Sequence, residues 1–239
     1  MKYYLVIIAL GFTLVGCSKP NAQTIVDKSI AFYNMEKLQN ATLEFSFRKF
    51  KFIATQKEGK FTYERIFSDS TGNVHDLLSN DGFKRFVNNK KVNLNAEDAK
   101  KYTESVNASI YFLYQPLKLN DASVTKKYLG ETRIKDKNYY KIEVAFKQQG
   151  GGVHYDDVFY YWFDKEDYSM DHFAYSAGGN RFRSVLKTHQ VGDVVFQDYI
   201  NYQSPLGDSV TPLIKYDSLY NAGKLRELSR IEFNNLVLK

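Results

Sequence analysis

The sequence predicts one α+β domain, a large curved antiparallel sheet with two helices packed on one face. Short segments of alternating apolar and polar residues, rich in Tyr and Phe, recur from Thr42 onward and are separated by Gly, Asn and Asp turns. Helical spacing of apolar residues occurs near the N-terminus and again before Pro116. No internal repeat, low-complexity stretch or linker interrupts residues 22–239.

The elements follow in order. Ile25, Val26, Ile30, Phe32 and Tyr33 recur at helical spacing, so a helix is expected over residues 22–35, with Thr24 as N-cap and Asp27 completing an imperfect capping box. Leu43, Phe45 and Phe47 alternate with polar residues; Phe50 and Phe52 continue one residue out of step, which a β-bulge near Arg48-Lys49 explains. Residues 61–67 form the next strand after the turn at Glu58-Gly59-Lys60, and 74–78, 83–87 and 92–94 are short strands. A second helix runs from Glu97 to about Leu113, introduced by Asn95 and closed before Pro116. Tyr140 to Phe146 alternates again. Val158 to Phe163 is apolar or aromatic throughout, so that strand is expected to be covered on both faces. Turns at 164–167, 178–180 and 191–193 separate further strands, the last running from Phe196 to Tyr202; 213–220 and 227–238 are the expected final strands.

Hydrophobic content of 44% and charged content of 25% are those of a folded globular domain, and aromatic content is high at 16%. The net charge of +6 is spread over scattered lysine pairs, not a stripe, which argues against nucleic acid as a partner and for a solvated basic surface near anionic membrane. At the N-terminus, Lys2 precedes an uncharged, mostly apolar run from Tyr3 to Val15, shorter than the roughly 20 residues of a membrane-spanning helix. It reads as a signal peptide over residues 1–16. Leu14-Val15-Gly16-Cys17 resembles the lipobox of bacterial lipoproteins, and Cys17 is the only cysteine. Cys17 is therefore the expected lipidation site and, with the tether to Asn21, the expected link to the membrane. Acyl chains contribute about 0.8 kcal/mol per buried methylene, so two or three of them anchor stably.

The combination Asn107–Phe112, Leu117–Ala122, Lys127–Glu131, Gly150–Gly152, Asp156–Trp162, Ala174–Ser176, Gly179–Arg183 and Asp198–Tyr202 resembles a family of uncharacterised Bacteroidota lipoproteins classed as a domain of unknown function. Ala108 and Gln149 depart from the Ser and Glu expected at those positions. The resemblance implies no activity. It implies an architecture similar to the periplasmic carriers LolA and LolB, a half-open barrel closed by helices that holds acyl chains in its concave face, and a place in the cell envelope, at the outer membrane facing the periplasm.

The residues themselves offer little conventional chemistry. Gly150 to Gly152 lack a following Lys-Ser/Thr and read as a hairpin loop. His75, His154, His172 and His189 share no metal-ligand spacing, and Asp164, Glu166, Asp167 and Asp171 read as a turn. No Ser sits in a Gly-x-Ser-x-Gly elbow. The expected domain thus takes neither metal nor other cofactor. One constellation stands apart. Arg181 and Arg183 are two apart, so in a strand they share a face, and Asp156, Asp157, Asp198, Tyr161, Tyr175 and Tyr202 lie on strands that the meander brings near. It is either an Arg–Asp–Tyr network that pins the sheet or a site for an anionic headgroup. The leading expectation is a non-catalytic lipoprotein whose concave sheet takes an apolar or amphipathic ligand. The alternatives are an envelope hydrolase using Asp156, Asp157 or Asp198 as acid or base and a structural partner-binding module. An apolar groove favours the first; a polar cleft with carboxylates about 5–10 Å apart favours a glycosidase-type hydrolase.

Overall fold

The structure, a computed structural model, describes residues 20–150, 155–208 and 210–239. The signal peptide, Cys17, Gly151, Gly152 and His154 lie outside the described residues. Helix α1 spans Ala22–Phe32 and is capped by Asn21, whose side chain accepts from the Gln23 amide at 2.9 Å. The cap is thus three residues earlier than Thr24, because Ala22 is already helical and buried. Asn34, in the left-handed region at φ 53°, ends the helical run and starts a 3-10 turn over Met35–Asn40.

Six strands follow: β1 (Ala41–Phe47), β2 (Phe50–Lys57), β3 (Lys60–Asp69), β4 (Gly72–Ser79), β5 (Gly82–Val87) and β6 (Lys90–Val92). The phase slip at Arg48-Lys49 is a hairpin, not a bulge. Phe47 pairs with Phe50 across the two-residue turn, with Arg48 at φ 55°. Partners flanking such a turn share a face, so the parity of the apolar positions must flip there. Helix α2 (Ala96–Leu113) begins at Asn95, which accepts from the Asp98 amide. The meander β7 (Val124–Ile134), β8 (Lys137–Phe146), β9 (Phe159–Asp164), β10 (Met170–Tyr175), β11 (Arg181–Val191) and β12 (Val194–Gln203) then forms the second half. β7 was not anticipated. It is an edge strand whose Lys126, Lys127, Glu131 and Arg133 interrupt the apolar pattern, with a register shift between Tyr128 and Gly130.

Residues 213–220 are not a strand. A 3-10 turn, Leu213–Lys215, leads after Pro212 into helix α3, Tyr216–Asn221. Residues 227–238 are two strands rather than one, β13 (Arg226–Ile231) and β14 (Phe233–Leu238), with Glu232 between them. The break matters because β13 pairs with β12 and β14 with β1. Two curved seven-stranded antiparallel sheets result, ordered β14-β1-β2-β3-β4-β5-β6 and β13-β12-β11-β10-β9-β8-β7, not closed into a barrel.

The main core lies between the inner faces of the sheets and helices α1 and α2: Ile25, Val26 and Ile30 of α1, and Val106, Ile110 and Leu113 of α2, meet Leu43, Phe45, Phe52, Tyr161 and Phe173. A second cluster lies on the outer face of the second sheet, beneath α3: Tyr139, Trp162, Phe182 and Tyr216. Every residue of β9 is consequently buried, as its unbroken apolar run requires. The Trp162 indole donates to Asp217 of α3 at 3.2 Å, and Lys141 meets the same carboxylate at 2.7 Å.

His172 stacks on Phe182 in this outer cluster, and burial, with Lys137 and Lys135 nearby, lowers its pKa to about 3. The unfolded chain takes up a proton near pH 6.5 that the folded imidazole refuses until about 3. Its stability penalty is absent above the unfolded pKa and grows as pH falls through that window, by about 1.4 kcal/mol per pH unit. Urea melts of wild type and His172→Phe between pH 7 and 4.5 should diverge with that slope in favour of the variant. Parallel curves would count against a neutral buried imidazole.

Candidate functional site

Where the inner faces of the two sheets meet beneath α2, they leave a cavity of about 320 Å³. Phe47, Phe50 and Phe52 of the β1–β2 hairpin and Ile231 and Phe233 at the β13–β14 junction give it apolar walls. α2 contributes Ser105, Ala108, Ser109 and Phe112, at the spacing of one helix face, and the first two are exposed. Their small side chains leave the space that larger ones would fill. The remaining lining is polar or cationic: Arg48, Arg65, Arg183, Asn201 and Ser229, with no carboxylate among the described lining residues.

Arg183 is 7% exposed. Its guanidinium lies 4.1 Å from the centre of the Phe112 ring, and Nη2 donates to the Tyr175 hydroxyl at 2.8 Å. Phe173 and Tyr175 flank it at 5.3 and 5.0 Å. Its Nε is buried without a hydrogen-bond partner, and no ion pair to Arg183 occurs among the described residues. Aromatic faces offset part of the cost of burying this charge, but not the missing acceptors.

The residues singled out in the sequence divide between locations. Arg183, Tyr175 and Tyr161 do come together on the inner face. Tyr161 is wholly buried against Phe173, 5.6 Å between ring centres, and burial holds its hydroxyl pKa well above the ordinary value, with Tyr111 adding to the shift. Arg181 does not join them. As the first residue of β11 it folds back onto its own turn, donating to the carbonyls of Asn180 (2.8 Å) and Gly178 (3.4 Å). Asp157 accepts from the Ser176 hydroxyl at 2.9 Å. Tyr202 packs against Tyr220 of α3 on the outer face. Asp198 has the same parity as Tyr202 in β12, opposite to Asn201, the cross-strand neighbour of Arg183. It is fully buried, accepts from the Phe233 amide at 2.8 Å, and lies 3.3 Å from Lys187 and 2.9 Å from His189.

Sequence reasoning missed a second cationic group. Arg65 of β3, Asp76 of β4 and Arg85 of β5 are directly opposite one another in register. Arg65 donates through Nε and Nη2 to Asp76 Oδ2 at 3.0 and 2.6 Å; Arg85 donates to Oδ1 and Oδ2 at 2.6 and 2.9 Å. Arg65 also donates to Ser105 of α2 at 2.6 Å, and the Arg85 guanidinium stacks 3.4 Å from the centre of the Tyr102 ring. The triad carries two positive charges against one negative and seats the first half of α2. Among the described residues, no group of three or more His, Cys, Asp and Glu side chains is placed to hold a metal ion, and no helix is long and apolar enough to cross a membrane.

Two curved antiparallel sheets folded over helices define a LolA-like α+β architecture. A LolA superfamily protein from Nitrosomonas europaea superposes with a TM-score of 0.50 at 11% identity, over 92% of this chain and 94% of that one. A DUF1329 family protein from Desulfovibrio piger gives 0.51 at 10% identity, over 90% and 92%. At such identities the likeness is one of fold alone. In sequence, residues 2–233 match a family of unknown function, DUF6503, and the chain belongs to it. Comparison with curated proteins yields no match.

Proposed function

We propose that this protein is an envelope lipoprotein that binds an apolar or amphipathic ligand in the cavity beneath α2, without catalysis. The cavity itself carries the reading. Aromatic and aliphatic side chains make up half of its lining beside polar and cationic ones, it falls at the lower end of the ~300–1,000 Å³ typical of ligand pockets, and no carboxylate is among the described lining residues. A hydrolase of the kind considered above needs two converging carboxylates, and Asp157 and Asp198 are engaged elsewhere, outside the lining. The LolA-like fold is consistent with apolar binding, as an analogy of architecture.

Ala108 lies at the exposed helical rim, so Ala108→Trp should fill the opening while leaving the core intact. Titration with the neutral dye N-phenyl-1-naphthylamine should show binding weakened at least about tenfold. The melting temperature should stay within about 2–4 °C of wild type, the shift expected from 1 kcal/mol in a domain of this size. Undiminished dye binding by a folded variant would remove the cavity from consideration.

The same proposal places the domain on a membrane through acyl chains on Cys17, supported by the lipobox-like Leu14–Cys17 and by the absence of any other cysteine from the sequence. Expression of Cys17→Ala should yield soluble protein or unprocessed precursor. Wild-type processing together with membrane fractionation would contradict the anchor.

A further inference from the structure

We infer that the cavity selects an acidic amphiphile, a single apolar chain ending in a carboxylate or phosphate, and that Arg183 is the residue that reads the acid group. The inference rests on the apolar-binding reading of the cavity and adds the chemistry of the head. Three guanidinium groups, Arg48, Arg65 and Arg183, line a space with no acidic side chain among its described lining residues. Arg65 already shares Asp76, whereas Arg183 makes one hydrogen bond to a side chain, the neutral Tyr175, and leaves Nε without an acceptor at 7% exposure. A buried cation with unused donors is stabilised by an oxyanion more than by any neutral group. Asn201, its cross-strand neighbour, also lines the cavity, with Oδ1 buried and unpartnered. Its carboxamide, turned by 180°, adds an N–H donor on the same side. Phe112 covers the guanidinium from α2, so the polar head and the apolar chain meet one continuous surface. The volume suits one chain rather than two.

The test uses the mature folded protein at pH 8, where a carboxylic acid is ionised. Dye displacement by hexadecanoate and hexadecyl phosphate is compared with hexadecan-1-ol and with inorganic phosphate. Wild type should prefer the acids over the alcohol by about tenfold or more, the scale of one charge-assisted interaction. Arg183→Gln should bring that ratio to within about twofold, by weakening the acids more than the alcohol, and Arg183→Lys should retain part of the preference. If Arg183→Gln does not fold, the wild-type ratio still tests the acid preference, and Arg183→Lys, which should lose part of it, tests the assignment to Arg183. Equal binding of acid and alcohol by wild type, or a preference that survives Arg183→Gln, overturns the inference. Inorganic phosphate competing as well as hexadecyl phosphate overturns it too, in favour of a free-oxyanion site. If the neutral dye and alcohol do not bind at all, the cavity reading falls first and takes this one with it.

Discussion

Asp76→Ala should destabilise the protein by about 3–5 kcal/mol, the range for removing one partner of a buried ion pair. Its carboxylate is fully buried and receives four hydrogen bonds from Arg65 and Arg85, whose side chains are 6% and 11% exposed. Truncation leaves two like charges facing each other across β4 with nothing between them. At about 2–4 °C per kcal/mol, the melting temperature should fall by roughly 6–20 °C. The damage should also be local. Arg65 holds Ser105 and Arg85 stacks on Tyr102, so the first three turns of α2 lose their seat on the sheet. Hydrogen exchange should therefore accelerate in α2 more than in β9 or β10. Replacing the whole triad by apolar residues of similar volume, Arg65→Met, Asp76→Leu and Arg85→Met together, should recover most of the stability, because desolvation of the charges is then no longer paid. A single Asp76→Ala variant within 1 kcal/mol of wild type would mean that the triad is decoration. So would a triple variant no better than the single one.

How much of this was legible in the sequence depends on the range of the interaction. Hairpins marked by Glu58-Gly59 or Asp81-Gly82 and the helix Ala96–Leu113 between Asn95 and Pro116 are local, and turn and cap chemistry announces them. Residues 213–220 read equally well at period two, and only the outer-face cluster, which needs Tyr216 against Trp162 and Phe182, decides for a helix. No Gly or Pro within 227–238 marks the step at Glu232, and β13 and β14 each remain strands; what changes is the sheet they join. For the site, alternation placed Arg181 and Arg183 together. Yet Arg181 is the terminal residue of its strand, and its guanidinium finds two turn carbonyls closer than the cavity. The Arg65–Asp76–Arg85 triad is spread over three strands, 11 and 9 residues apart. The signal was present in principle, since both separations follow from the tight turns of β3–β4 and β4–β5 once register is assigned.

Asp198→Ala is expected to cost about 1–3 kcal/mol, for a different structural reason. The chain leaves the second sheet at Ile231 and enters the first at Phe233 with one residue between. At that step the Phe233 amide donates to Asp198 at 2.8 Å. The carboxylate thereby ties β12 to the junction, with the Lys187 ammonium of β11 offsetting its charge and His189 beside it. Alanine orphans a buried N–H, which costs about 1–3 kcal/mol, and removes the anion that two cationic or polar groups face. Asp198→Asn keeps an acceptor for Phe233 and should retain most of the stability. Since Ile231 and Phe233 also wall the cavity, loosening the junction should weaken binding of a neutral apolar dye without touching Arg183. The measurements are urea melts of both variants, amide exchange at Phe233 and dye titration. If Asn proves as damaging as Ala, charge rather than the Phe233 hydrogen bond holds the junction. If Ala leaves Phe233 exchange and stability unchanged, the two sheets are joined by packing alone and Asp198 has no part in it.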